Sequence, residues 1–176
     1  MKGTYDKLDL HNIFFSSNYK EEFNSIFEKK EIYDDPTVYV NISCKDVSMD
    51  APKDSENWFV MINSPYNLNQ NWDKQVRLTR KKIINKLEKI LGVAVGKNII
   101  NEKVYTPIDL EQNTNSYNGS LYGSSSNNIM SSFMRHPNFT RNIKNLFFCG
   151  GSVHPGGGIP LAILSSKIVS DLIESK

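Results

Sequence analysis

Apolar residues in this chain alternate between short strand-like runs and helical stripes. Leu8 to Ser16 alternates loosely and ends in Ile13-Phe14-Phe15, which predicts a strand. Ser17 or Asn18 then stands where a helix cap belongs. Tyr19, Phe23, Ile26 and Phe27 recur at helical spacing, predicting a helix over 19–29 with one apolar face. Asp34-Asp35-Pro36 is turn chemistry. Val38, Val40 and Ile42 alternate with Tyr39 and Asn41, so 38–42 reads as a strand with two distinct faces. A polar stretch with Pro52 follows, then a short apolar strand over 58–62 and an Asn-rich connection over 64–71. Residues 72–91 read as a long helix, with Val76, Ile83, Leu87, Ile90 and Leu91 as its stripe and Gly92 as its stop. Residues 99–105 read as a further strand. Thr106-Pro107 opens a short helix that ends near Asn113, proline being favoured at a first helical position.

From Asn115 to Asn128 the chain is rich in turn residues, but Tyr117, Leu121 and Tyr122 can dock. An ordered loop is therefore expected there rather than a plain linker. Leu146 to Cys149 reads as a buried strand, and a helix begins around Pro160. Between them lie Gly150, Gly151, Gly156, Gly157 and Gly158, with His154 and Pro155. Gly158 or Ile159 must serve as the helix N-cap, and neither carries a side chain that can accept a hydrogen bond. The N–H groups of Leu161, Ala162 and Ile163 are thus expected to lack a side-chain cap. The helix dipole favours negative charge at such an end by about 0.3–1 kcal/mol. Glycines 156 to 158 would allow a flat or phosphorylated ligand close to the backbone. A tight internal turn with no ligand is the plainer alternative.

Charge and composition narrow the choice. The chain has 176 residues, a net charge of +2, 39% hydrophobic and 23% charged residues, as expected of a globular protein. Lys74, Arg77, Arg80, Lys81, Lys82, Lys86 and Lys89 give the long helix a basic exterior. With no aromatic platform or recognition motif beside them, these read as a solvated face, and no nucleic-acid partner is expected. Cys44 and Cys149 make neither a disulfide framework nor a metal spacing, and Cys149, ending a strand, reads as a small buried hydrophobe. A reducing, cytoplasmic setting follows. The first ten residues do not resemble a signal peptide, and no 18-residue apolar run is present, which leaves peripheral membrane contact open.

Familiar catalytic motifs are missing. Gly156 and Gly158 have the first spacing of a dinucleotide fingerprint, but its third position falls on Leu161. No P-loop, G-x-S-x-G elbow or H-E-x-x-H motif occurs. His11, His136 and His154 are scattered and read as structural, so no metal site is expected.

The sequence Gly150-Gly-Ser-Val-His-Pro-Gly-Gly-Gly-Ile-Pro160, after the Asn145-Leu-Phe-Phe strand, resembles the C-terminal signature of the phytoene desaturase family. These are FAD-dependent carotenoid desaturases of the flavin amine oxidase superfamily. Four earlier stretches resemble the family in the same order: Leu10-His-Asn-Ile-Phe-Phe-Ser16, Tyr33-Asp-Asp-Pro-Thr-Val-Tyr39, Tyr117-Asn-Gly-Ser-Leu-Tyr-Gly123 and Phe133-Met-Arg-His-Pro-Asn138. The carotenoid 3,4-desaturase type is the subtype the chain resembles most.

The resemblance implies a mixed α/β fold: a C-terminal portion of a two-domain FAD-dependent oxidoreductase, with Met1 falling mid-chain of a longer family member. Residues 1–135 would be part of the substrate-binding domain, a mixed or antiparallel sheet backed by helices. Residues 136–176 would return to the FAD domain as its last strand and helix. The Rossmann half that binds the adenine end of FAD would be a missing partner, truncated or split off. Alone, the chain would be inactive, hold FAD weakly and expose apolar surface where that half docks. In the resemblance Gly150, Gly151 and Ser152 pass the flavin's linker region. Gly157, Gly158, Ile159, Pro160 and Leu161 lie at the isoalloxazine ring, and residues 115–128 lie by the flavin and substrate tunnel. His154 and Arg135 are the candidates for polar or catalytic contacts, with a turn-packing role for His154 equally open. The implied substrate is a carotenoid polyene, and the setting is the cytoplasm or the inner face of its membrane. A related carotenoid isomerase, ketolase or amine oxidase, or a non-catalytic apolar-binding protein, are the alternatives.

Overall fold

The computed structural model describes residues 1–123 and 135–175. Positions 124–128 of the expected loop, and Phe133 and Met134 of the fourth motif, lie outside the described residues. The chain forms two compact units, Met1–Thr106 and Pro107–Lys176. The fold is mixed α/β, as the resemblance implied.

The first unit is built on an antiparallel three-stranded sheet in the order β1 (His11–Phe14), β2 (Val38–Asn41), β3 (Phe59–Ile62). The register pairs Asn12 with Val40 and Phe14 with Val38 on one side, and Val40 with Val60 and Val38 with Ile62 on the other. Directly paired residues share a face. One face is therefore Asn12, Phe14, Val38, Val40, Val60 and Ile62. The other is His11, Ile13, Tyr39, Asn41, Phe59 and Met61.

The first face meets helix α2 (Trp72–Leu91), matching the residue range the stripe predicts. Asn71 caps its start by accepting the Lys74 N–H, and Gly92 ends it in the left-handed region at φ 71°. Val38, Val40, Ile42, Leu87, Leu91 and Val95 form the buried core with Tyr5 and Leu8. Burying one such aliphatic side chain is worth about 1.5–3 kcal/mol. Ile90, expected in the stripe, is exposed. It lies on the flank of the line Ile83-Leu87-Leu91, where the helix surface turns away from the sheet. The basic exterior is partly neutralised on the spot: Arg80 pairs with Glu102, Lys82 with Asp34 and Lys86 with Asp35. Lys86 also donates to the carbonyls of Phe15 and Pro36.

Helix α1 (Tyr19–Asn24) is capped by Asn18 and passes into a wider π turn over Ser25–Lys29. Its inward face differs from expectation. Phe15, Tyr19, Phe23 and Phe27 form a ladder of ring contacts, with centroids 4.7–6.3 Å apart, along the half-exposed side. Glu22, Ser25 and Ile26 are the buried positions. Glu22 is 0% exposed. Its carboxylate accepts the Thr37 N–H at 2.9 Å and the Thr37 hydroxyl at 2.6 Å, while Thr37 Oγ1 accepts the Ser16 N–H. Thr37 leads into β2, so a buried carboxylate fixes where that central strand begins.

Residues 99–105 form no strand, and Ile100, Val104 and Tyr105 are exposed. A run of β-formers needs a neighbouring edge, and the described residues pair none with it.

Among the described residues the second unit holds α3 (Pro107–Thr114), a 3₁₀ turn at Tyr117–Gly119 and α4 (Ile159–Glu174). Leu146 to Cys149 is not a strand. One bridge joins Phe147 to Phe139, and Phe148 N–H donates to the Asn138 carbonyl at 2.8 Å. A longer ladder would need a neighbouring strand, and among the described residues this stretch has only that bridge. Cys149 is exposed rather than buried. None of the described helices is long and apolar enough to cross a membrane.

Replacing Glu22 by alanine leaves two donors of Thr37 unpaired in the interior. A loss of about 1–3 kcal/mol in urea unfolding is expected. Acid should also weaken this unit. Burial pushes the Asp35 carboxyl up, but Lys86 and the Ser17 N–H outweigh it and bring the group from 3.8 to about 2. Burial raises Glu56 too, yet Lys45, Trp58 and the Tyr5 N–H hold it below its usual value. A depressed carboxyl stabilises the fold above its unfolded pKa. That contribution is lost as pH falls through the folded value. Urea midpoints should therefore drop between about pH 5 and pH 2, and Lys86→Met should flatten that slope.

Candidate functional site

The glycine-rich loop from Gly150 to Gly158 has few side chains with which to hold itself. Two buried polar residues do that work from outside it. Asn138 Nδ2 lies within hydrogen-bond reach of the Phe148 carbonyl at 3.0 Å, the His154 carbonyl at 2.9 Å and Ser165 Oγ at 2.9 Å. Ser165, fully buried on α4, also accepts the Gly150 N–H at 3.1 Å. The loop's entry, its middle and the helix behind it are thereby tied to one amide. Sequence reasoning did not single out Asn138 or Ser165. The available signal was a serine on the inward line Ala162-Ser165-Ile168/Val169-Leu172 of an otherwise apolar helix face.

The glycines divide into two kinds. A Cβ on Gly157 would stand 2.5 Å from Tyr122 Cδ1, and one on Gly156 would stand 3.1 Å from Arg135 Nε. The protein itself packs against both positions, and Gly156, at φ 142°, also needs glycine for its backbone. The expectation that 156 to 158 all serve ligand approach is thus narrowed. Gly150 and Gly158 have open space where a Cβ would be, at φ 120° and 101°. Their backbone conformation, not crowding, demands glycine.

Gly158 is the N-cap of α4, with no side-chain hydrogen bond to the helix end. Ala162 N–H donates to the Gly158 carbonyl at 2.9 Å, so the α-helical ladder begins there. By the same repeat Ile163 pairs with Ile159. The expected free donors at Ala162 and Ile163 are therefore corrected. The first turn's uncapped donors are the N–H groups of Ile159 and Leu161, since Pro160 has none. Ile159 is 78% exposed, so this end of the helix is open.

Arg135 braces the loop. Its Nη1 donates to the Tyr122 carbonyl at 2.9 Å and lies 3.4 Å from the Gly151 carbonyl, while its guanidinium packs on Gly156. His154 is exposed, and its backbone N–H donates to the His136 carbonyl at 2.9 Å. Arg135 and His154 line one open groove of about 400 Å³ with Asn138, Phe139, Ile168 and Leu172. The structure thus brings together the two polar candidates. Gly157, Gly158, Ile159, Pro160 and Leu161 are not among the groove's lining residues. A Cβ on Gly151 would stand 3.4 Å from Gly157 Cα, and one on Gly123 would stand 3.1 Å from the Ser152 carbonyl. No group of three or more His, Cys, Asp or Glu suited to a metal ion occurs among the described residues.

The loop is tied from behind and ends at a helix N-terminus without a side-chain cap, and Arg135 and His154 line a separate groove along α4. The comparisons narrow the class. No family model matches the chain. Across 173 residues, 98% of its length, it is 54% identical to the 1-hydroxycarotenoid 3,4-desaturase of a Flavobacterium species. Over the same length it is 36% identical to the 4,4'-diaponeurosporene oxygenase of Staphylococcus aureus. The chain spans 36% and 35% of those proteins. The resemblance to carotenoid desaturases read from the five motifs is borne out, over about a third of such a protein's length.

Gly157→Ala is expected to cost about 1–3 kcal/mol, because Tyr122 must yield to the new methyl group. In a Tyr122→Ala background most of that cost should vanish. A double-mutant cycle that finds the two changes additive would disconnect Gly157 from Tyr122.

Proposed function

We propose that this chain is part of an FAD-dependent carotenoid desaturase, which removes two hydrogens from a C–C single bond of an acyclic carotenoid and leaves one more conjugated double bond. The observation that carries the reading is the 54% identity along nearly the whole chain to a 1-hydroxycarotenoid 3,4-desaturase. The loop supports it. Gly158 has no side chain and open space in front of it, and the uncapped N–H groups of Ile159 and Leu161 lie beside it. Such a surface suits the electron-rich pyrimidine edge of a flavin ring.

When bound, FAD supplies the oxidising power for the reaction. This chain's residues position it. Gly150, Gly151 and Ser152 pass the linker region, and Gly158, Ile159, Pro160 and Leu161 meet the ring, where the helix end favours added negative charge. Gly157 acts one step back, by letting Tyr122 close on the loop. Arg135 holds the loop by its carbonyls and presents its cationic face to the groove. His154 contributes a polar contact at the substrate end of that groove. Residues 136–176 belong to the flavin side of the enzyme and residues 1–135 to its substrate side.

The rest of the enzyme, including the adenine-binding half, is supplied outside this sequence. The exposed Ile163 and Ile173 of α4 are surface on which that half docks. The substrate partitions into lipid, so the enzyme meets it at the inner face of the cell membrane. The match to a diaponeurosporene oxygenase favours one second reading, addition of oxygen to a carotenoid. Product spectra and masses from cells making acyclic carotenoids separate the two: loss of two hydrogens supports desaturation, gain of oxygen supports the second.

Ile159→Glu in the intact enzyme distinguishes helix from cofactor. A carboxylate at a helix N-terminus stabilises the helix by about 0.3–1 kcal/mol. The same charge would repel the flavin edge. Flavin absorbance per protein should fall several-fold while thermal stability of the apoprotein holds or rises. Undiminished flavin content would remove α4 from the cofactor site.

A further inference from the structure

The second face of the β-sheet combines apolar exposure with one polar cluster. Ile13, Phe59 and Met61 are 55%, 61% and 49% exposed on it. Among them stand His11, Tyr39 and Asn41, on neighbouring strands in direct register: His11 pairs with Asn41 and Tyr39 with Ile13. Tyr39 Oη lies 2.8 Å from His11 Nδ1, and Asn41 Nδ2 lies 3.2 Å from the same nitrogen. The two rings stack with centroids 6.1 Å apart.

Donor logic assigns the protons. Asn41 Nδ2 donates to the Leu10 carbonyl at 3.1 Å, which fixes the amide so that its NH₂ also faces His11. With an amide N–H facing it, His11 Nδ1 is the acceptor, its one lone pair shared between the Asn41 amide and the nearer Tyr39 hydroxyl, and the ring hydrogen sits on Nε2. Among the described residues that Nε2–H has no acceptor. Tyr39 Oη, giving its hydrogen to Nδ1, keeps lone pairs to spare. The cluster thus offers one unspent donor and one unspent acceptor, set in an apolar face.

A hydroxyl group needs both at once, and the apolar frame needs an apolar molecule around that hydroxyl. Water alone would satisfy the polar atoms but would leave Ile13, Phe59 and Met61 wet. We infer that His11 and Tyr39 bind the hydroxyl-bearing end of a long apolar substrate that lies against Ile13, Phe59 and Met61. The inference rests on the carotenoid desaturase reading and deepens it, by naming the residues that distinguish a hydroxylated acyclic polyene from its hydrocarbon counterpart. A site built to hydrogen-bond a hydroxyl disfavours the analogue that lacks it, because its own polar groups are then left without partners.

The test uses the intact, flavin-loaded enzyme. Turnover is measured on an acyclic carotenoid with a terminal tertiary hydroxyl and on the same polyene without it. Wild type should favour the alcohol. In Tyr39→Phe, and separately in His11→Gln, the alcohol-to-hydrocarbon ratio of kcat/KM should fall about tenfold, mainly through KM for the alcohol. Tyr39→Phe keeps the ring and its packing, so it guards against loss by misfolding in His11→Gln. Equal losses on both substrates would assign the cluster to packing and overturn the inference. A wild type with no preference would also overturn it, leaving the desaturase reading intact. A flavin-loaded wild type that dehydrogenates neither polyene would sink both.

Discussion

Buried backbone groups must be paired, and much of this chain has no strand ladder or helix to pair them. Side chains take over that task at a few positions, and the rest of the structure is arranged around them. Glu22 holds the start of the central strand through Thr37. Glu56 accepts the Tyr5 N–H and the Trp58 indole, with Lys45 at 2.8 Å, and so anchors the N-terminal segment. Asn138 ties the glycine loop to α4 through two carbonyls and Ser165. At the first turn of α4, among the described residues, no side chain caps the helix end.

The same economy explains the glycines. A loop fastened at its carbonyls by one buried amide can be threaded closely past Tyr122 and Arg135 only if Gly157 and Gly156 carry no side chain there. Close packing behind the loop leaves Gly158 facing open space. Rigid support from within and an open backbone in front are two halves of one design for presenting a helix end. The polar candidates Arg135 and His154 then fall in the groove along α4 rather than at its tip.

The sheet makes a similar division. One face buries Val38 and Val40 against α2, while the opposite face keeps Ile13, Phe59 and Met61 exposed around His11, Tyr39 and Asn41. An antiparallel sheet can afford one open face.

Local patterns by themselves determined a good part of this. The Val38-Val40-Ile42 alternation, the Asn71 cap with Gly92 as stop, and Pro160 near the first position of a helix are signals that need only neighbouring residues, and each element lies where its pattern sets it. The family motifs were equally legible, since they are strings of residues. Tertiary structure decided what depends on distant partners. Leu146 to Cys149 and residues 99–105 have strand composition, but among the described residues they share only a single bridge at Phe147, and composition cannot report which edge lies beside a run. The aromatic stripe of α1 ended half-exposed because Thr37, fifteen positions beyond Glu22, offered that carboxylate two donors. Which glycines serve packing and which face open space was settled by Tyr122 and Arg135, residues that no local pattern places beside them.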